Sequence, residues 1–101
     1  MSQKSLDTQF VLDVLRAQKP ALAAHYGVSR LGLFGSVARG DARDDSDIDV
    51  VVEMAKPDLF AMVHVKAALE TVFARAVDVV RYRAKMNPYL RARIEREARY
   101  V

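Results

Sequence analysis

Apolar positions along the chain change period several times, and each change marks an element. Phe10, Val11, Val14 and Leu15 recur at helical spacing, and Asp7 or Thr8 stands where a side chain can cap the first free amides. Pro20 suits a first helical position, so residues 20–26 read as a short second helix closed by Gly27. The pattern then shortens. Residues 31–34 form an apolar run ending at Gly35, and residues 48–52 are a β-branched run with little polar break, as expected of a strand covered on both faces.

Pro57 and Asp58 open a third helix, whose stripe of Leu59, Met62, Val65, Leu69, Val72 and Phe73 steps by three and four. Residues 77–80 form another short strand. Asn87 and Pro88 make a cap and first-position pair for a last helix with Leu90, Ile94, Ala98 and Val101 on one side. Helix, helix, strand, link, strand, helix, strand, helix is the order of an α/β or α+β domain, a small mixed sheet flanked by helices.

At 101 residues, the chain has room for one core, so residues 1–101 are expected to form a single domain. With 51% hydrophobic and 29% charged residues it can bury that core and solvate its surface. The absence of cysteine excludes disulfides, zinc–thiolate sites and a thiol nucleophile, and two histidines are too few for a His-rich metal centre. Any metal must be held mainly by carboxylates. The opening residues MSQKSLDTQF lack the apolar core of a leader, and no apolar run approaches the roughly 20 residues that span a bilayer, so the expected location is the cytoplasm, away from membranes.

The net charge of +3 conceals a strong asymmetry. Between residues 41 and 53 six acids (Asp41, Asp44, Asp45, Asp47, Asp49, Glu53) face one base, Arg43, whereas eight bases lie between residues 75 and 101. A metal held by carboxylates, with arginines nearby for a polyanion, would use such a layout, and so would two unrelated solvated surfaces.

The chemistry concentrates in residues 33–53, LFGSVARGDARDDSDIDVVVE. Gly35 and Ser36 end a strand at a turn, where their amides and the Ser36 hydroxyl can face an anion at the following helix start. Gly35 and Gly40 have P-loop spacing, but Asp41 and Ala42 stand where that motif needs Lys and Ser or Thr, which excludes a Walker-type site. Asp47 and Asp49 lie two apart at a strand entrance, so both carboxylates share one face. Held close, two carboxylates repel by about 3 to 4 kcal/mol at an effective dielectric of 20, which favours a shared cation. Magnesium is the expected one, since it takes oxygen ligands and combines one or two carboxylates with phosphate oxygens of a substrate. Asp78 interrupts the apolar run AVDVV, where a buried charge would need a metal or another partner, and it is the natural third ligand. Arg39 can neutralise phosphate or tether the acidic loop, and Ser46 can meet the phosphates or, more simply, cap the turn. His64, beside the stripe of the third helix, reads as an ordinary surface histidine.

Gly35-Ser36, Ala38-Arg39-Gly40 and Ser46-Asp47-Ile48-Asp49, with Asp78 on a later strand, resemble the DNA polymerase β-type nucleotidyltransferase superfamily. The nearest likeness is to its minimal members, the MntA-type antitoxins paired with HEPN-domain toxins, and it covers most of the chain. That resemblance implies the polymerase β-type nucleotidyltransferase fold and a two-metal transfer of AMP from ATP. Gly35 and Ser36 would hold the β and γ phosphates, and Asp47 and Asp49 would bind magnesium. Asp78 would bind a second ion and help deprotonate the acceptor, typically a tyrosine hydroxyl of the partner toxin, which adenylylation silences. Only 23 residues follow Asp78, too few for an acceptor-binding domain, so a partner protein is the expected acceptor. Direct nucleic-acid binding is not expected. Two other readings are a non-catalytic antitoxin that acts by covering its toxin, and a transferase subunit acting on RNA or a small molecule.

Overall fold

In a computed structural model, which describes residues 6–101, the elements run α1 (Thr8–Tyr26), β1 (Val28–Phe34), α2 (Gly35–Arg39), β2 (Ile48–Met54), α3 (Leu59–Phe73), β3 (Val77–Arg81), α4 (Pro88–Glu97) and β4 (Arg99–Tyr100). Residues 1–5, part of the stretch read for a leader, lie outside the described residues. The strands form one mixed sheet in the order β3-β2-β1-β4. β1 runs antiparallel to β2 and to β4, while β2 and β3 are parallel and joined across the sheet by α3.

One face of the sheet carries Leu31, Leu33, Ile48, Val50, Val52 and Val77 against Val11, Leu12, Leu15 and Leu22 of α1 and Ala61, Val65 and Leu69 of α3. The other face holds a smaller cluster in which Phe34 and Val51 meet Ile94 of α4. β2 is thus buried on both sides except at Asp49 and Glu53, as its nearly continuous apolar run predicts. Each such fully buried Val, Leu or Ile contributes about 1.5 to 3 kcal/mol, so the larger face carries most of the stability. The smaller face stays open near Asp49 and Asp78.

Three expectations need correction. Residues 20–26 are not a separate helix, because α1 continues through Pro20. Leu15 before the proline and Leu22 after it are both buried against the sheet, and that burial offsets the lost hydrogen bond and ring clash, together about 3 kcal/mol. In α3 the stripe is displaced. Ala61, Val65 and Leu69 are buried while Leu59 and Val72 are exposed, because a helix with apolar residues nearly all round gives its period no unique phase. At the end of the chain, α4 stops at Glu97, Ala98 turns extended, and Arg99 and Tyr100 pair with Leu33 and Gly32 of β1. Two residues carry no alternation to read, so only the free edge of β1 creates this strand.

The C-terminal strap is held by the Val101 amide donating to the Leu31 carbonyl at 2.9 Å and by Lys19 donating to the Val101 carbonyl at 2.8 Å. The Tyr100 ring lies over Gly32, where a Cβ would come 2.8 Å from Tyr100 Cδ1, and the Arg30 guanidinium stacks 3.7 Å from the ring centroid. Gly32→Ala should therefore loosen β4 at a cost of about 1 to 3 kcal/mol. Chemical denaturation reads the loss, and faster exchange of the Val101 amide locates it.

Candidate active site

The register places the acidic residues. Phe34 pairs with Asp49 across β1 and β2, and Asp49 pairs with Asp78 across β2 and β3, so the three residues form one row on the α4 face of the sheet. Asp47 lies two residues before Asp49, and the buried Ile48 between them points to the opposite face, which returns Asp47 to the Asp49 side. The entrance of β2 is pinned to β3 by the Ile48 amide on the Ala76 carbonyl at 3.2 Å and by Arg75 donating to the Ser46 carbonyl at 2.9 Å. Backbone pairing thus sets Asp49 beside Asp78, although 29 residues separate them, and Asp47 stands at the entrance of the same strand.

Asp78 was expected to be a buried charge, and it is exposed. β3 is an edge strand and α4 does not reach over its first residues, so this carboxylate keeps its water and needs no partner for burial. Asp47 is exposed as well, whereas Asp49 is half-buried. Burial pushes the Asp49 carboxyl above the usual aspartate range, and the charges of Asp78 and Asp47 push the same way, against Arg93 and Arg39. Among the described residues no three His, Cys, Asp or Glu side chains converge closely enough to hold an ion unaided. Facing carboxylates repel one another, and magnesium needs only one or two of them when phosphate oxygens complete its shell. The donor set and the raised Asp49 therefore fit a divalent cation.

Gly35 stands directly against this row. Its φ is +80°, and a Cβ would fall 2.1 Å from Asp49 Oδ2 and 3.0 Å from Asp49 Cγ, so only glycine brings the backbone this close to the carboxylate. Ser36 follows in the first turn of α2, the segment read from the sequence as a link. Arg39 ends α2 and donates through Nε to Asp41 at 3.3 Å and through Nη1 to both oxygens of Glu97 at 3.2 Å. It tethers the acidic loop, one of the two roles anticipated for it. The Ser46 hydroxyl accepts the Arg43 amide at 2.8 Å and so closes the turn before Asp47.

Other residues stand apart from the row. His64 stacks on Tyr26 at 5.7 Å between α3 and α1. Arg81 pairs with Val52 and so lies beside the opposite face from Asp78. Two residues of α4 enter the site unannounced: Arg93, whose charge acts on Asp49, and Glu97, which accepts the Gly35 amide at 3.2 Å. Their i, i+4 spacing puts them on one helix face, and nothing in the sequence separates Glu97 from Glu95 among the C-terminal arginines.

A family model described as a nucleotidyltransferase domain matches residues 15–101. The protein adenylyltransferase MntA of Thermococcus cleftensis is 31% identical over 97 residues, spanning 95% of this chain and 97% of that protein. A Methanocaldococcus jannaschii protein provisionally assigned as a protein adenylyltransferase is 39% identical over 87 residues, 85% of this chain and 91% of its own length. Among solved structures, a candidate minimal nucleotidyltransferase superposes with a TM-score of 0.69 at 40% identity, covering 87% of this chain and 93% of that one. A toxin–antitoxin structure with AMP-PNP has the same TM-score at 23% identity over 83% of this chain and 69% of that one, a likeness of fold. With the glycine turn set against a row of carboxylates on the sheet, and with relatives matched over nearly their whole length, the chain belongs to the nucleotidyltransferase domain family, among its minimal MntA-type members.

Proposed function

We propose that this protein is an antitoxin that transfers AMP from ATP to a tyrosine hydroxyl of a partner HEPN-domain toxin and thereby neutralises it. The observation that carries the reading is the contact between Gly35 and Asp49, which sets a phosphate-sized turn against a carboxylate able to hold a cation. In this assignment the Gly35 and Ser36 turn receives the β and γ phosphates, and Arg39 and Ser46 border them. Asp47, Asp49 and Asp78 hold magnesium, two ions in the reading the family resemblance implies. The bound cation supplies charge neutralisation of the phosphate oxygens.

The chain's own groups do the rest. Asp78, exposed at the sheet edge, takes the proton of the incoming tyrosine hydroxyl. The phenolic oxygen then bonds to the α phosphorus in line as the bond to the bridging oxygen breaks, and diphosphate leaves with that electron pair. A protein acceptor also suits the surface. Leu59 and Phe60 at the start of α3 are 83% and 80% exposed, apolar area of the kind a protein partner covers.

The test is the intact mass of a HEPN-domain partner after incubation with this protein, ATP and magnesium. An AMP-sized gain, absent with an Asp47→Asn, Asp49→Asn variant, is the expected result. A stable complex without a mass gain would identify a non-catalytic antitoxin, and label appearing on RNA or a small molecule would replace the acceptor.

A further inference from the structure

Glu97 is the last residue of α4, its side chain only 11% exposed, and its carboxylate hydrogen bonds run to α2. One oxygen accepts the Gly35 amide at 3.2 Å, and both accept from Arg39 Nη1 at 3.2 Å. Arg93 and Arg96 stand 3.9 Å away and balance the charge. The helix it holds has five residues, and Phe34 at its N-cap offers no side-chain hydrogen bond. A helix of little more than one turn does not sustain itself, and its first amides lack partners within it. Glu97 supplies a partner from 62 residues away and, with the same carboxylate, grips the residue that ends the helix.

Arg39 is fixed from its other edge by Asp41 at 3.3 Å, so its guanidinium is held in one orientation between two carboxylates. Gly35 in turn touches Asp49. Pairing of Phe34 with Asp49 brings the turn up to the acidic row, and Glu97 on α4 holds the residues that follow it.

We infer that Glu97 is a positioning residue for nucleotide binding, one carboxylate that clamps α2 at both ends and holds the Gly35 and Ser36 turn and the Arg39 guanidinium in register with Asp49. This rests on the nucleotide-binding role proposed above. A carboxylate that merely occupied the phosphate's place would act with the opposite sign, since removing it would tighten binding.

The experiment is calorimetric titration of magnesium-ATP into the wild type, Glu97→Ala, Glu97→Gln and Glu97→Asp, with the Tm of each variant. Glu97→Ala is expected to weaken binding by about tenfold or more, as losses of a supporting contact commonly do. Glu97→Gln keeps the length and one acceptor oxygen for the Gly35 amide and Arg39 but turns its NH2 toward the guanidinium, so it should fall between wild type and alanine. Glu97→Asp keeps the charge but is one methylene short of spanning α2, so it should fall nearer to alanine. These losses should not track Tm, as a merely structural role would require. If Glu97→Ala does not fold, the order of Gln above Asp decides the matter. Unchanged or tighter binding by Glu97→Ala, or losses that follow Tm alone, would overturn the clamp and leave the nucleotide site standing. A wild type that binds no magnesium-ATP would remove the nucleotide reading and the clamp together.

Discussion

Asp49→Asn should lower nucleotidyl transfer by about a thousandfold or more and still raise the melting temperature of the metal-free protein. The activity loss follows from removing the charge that faces the proposed cation. The stability gain follows from the environment of the carboxyl, whose pKa is raised first by burial and then by the charge of Asp78. The folded protein holds this proton more tightly than the unfolded chain does. Stability is therefore full below the ordinary aspartate pKa and is lost as pH rises through the raised value, and at neutral pH the ionised side chain is a net cost. Because Asp49 is only half-buried, solvent screening keeps that cost small, so the expected rise in Tm is modest. Scanning fluorimetry reads the sign directly. Magnesium with ATP should raise the Tm of the wild type and leave Asp49→Asn unmoved, and a variant less stable than wild type would contradict the electrostatics described for the site.

Gly35→Ala should also lower transfer sharply, but with the opposite effect on stability. The φ of +80° costs a β-carbon about 1 to 2 kcal/mol, and the new methyl would overlap Asp49 Oδ2 and press on Cγ. The carboxylate must move aside, taking the proposed cation ligand out of register with the turn. A total cost of about 2 to 3 kcal/mol lowers Tm by roughly 10 to 20 °C, and activity at a temperature where the variant remains folded should still fall by about a hundredfold or more. Equilibrium denaturation combined with the mass assay checks both parts. Activity within a few fold of wild type in folded protein would show that the close approach of Gly35 to Asp49 is dispensable.

Much of the fold could be read from local pattern. The caps at Asp7, Asp58 and Asn87 all form as their side chains predict, each accepting amides of the first turn. The strands at Leu31, Ile48 and Val77 were visible because β-branched and leucine runs change period against the helices. Pro20 misled because propensity weighs one hydrogen bond locally, whereas the buried stripe on either side of it acts over the whole helix. β4 was invisible because two residues carry no periodicity, and its reason lies on the partner strand, where Gly32 leaves space for Tyr100.

The site divides in the same way. Gly35, Ser36, Asp47 and Asp49 lie within 15 residues of one another, and a turn followed by alternation along a strand is enough to place their chemistry on one side. Sequence by itself determined that much, together with the core strands and the starts of α1, α3 and α4, since these depend on neighbours within a few turns of chain. Tertiary structure alone decided that Asp78 pairs with Asp49 in register yet stays exposed at an edge, that Arg93 acts on that row, and that Glu97 holds both ends of α2. These depend on sheet order and on where α4 crosses the small face, so their partners lie 29 to 62 residues away, beyond anything that local spacing encodes.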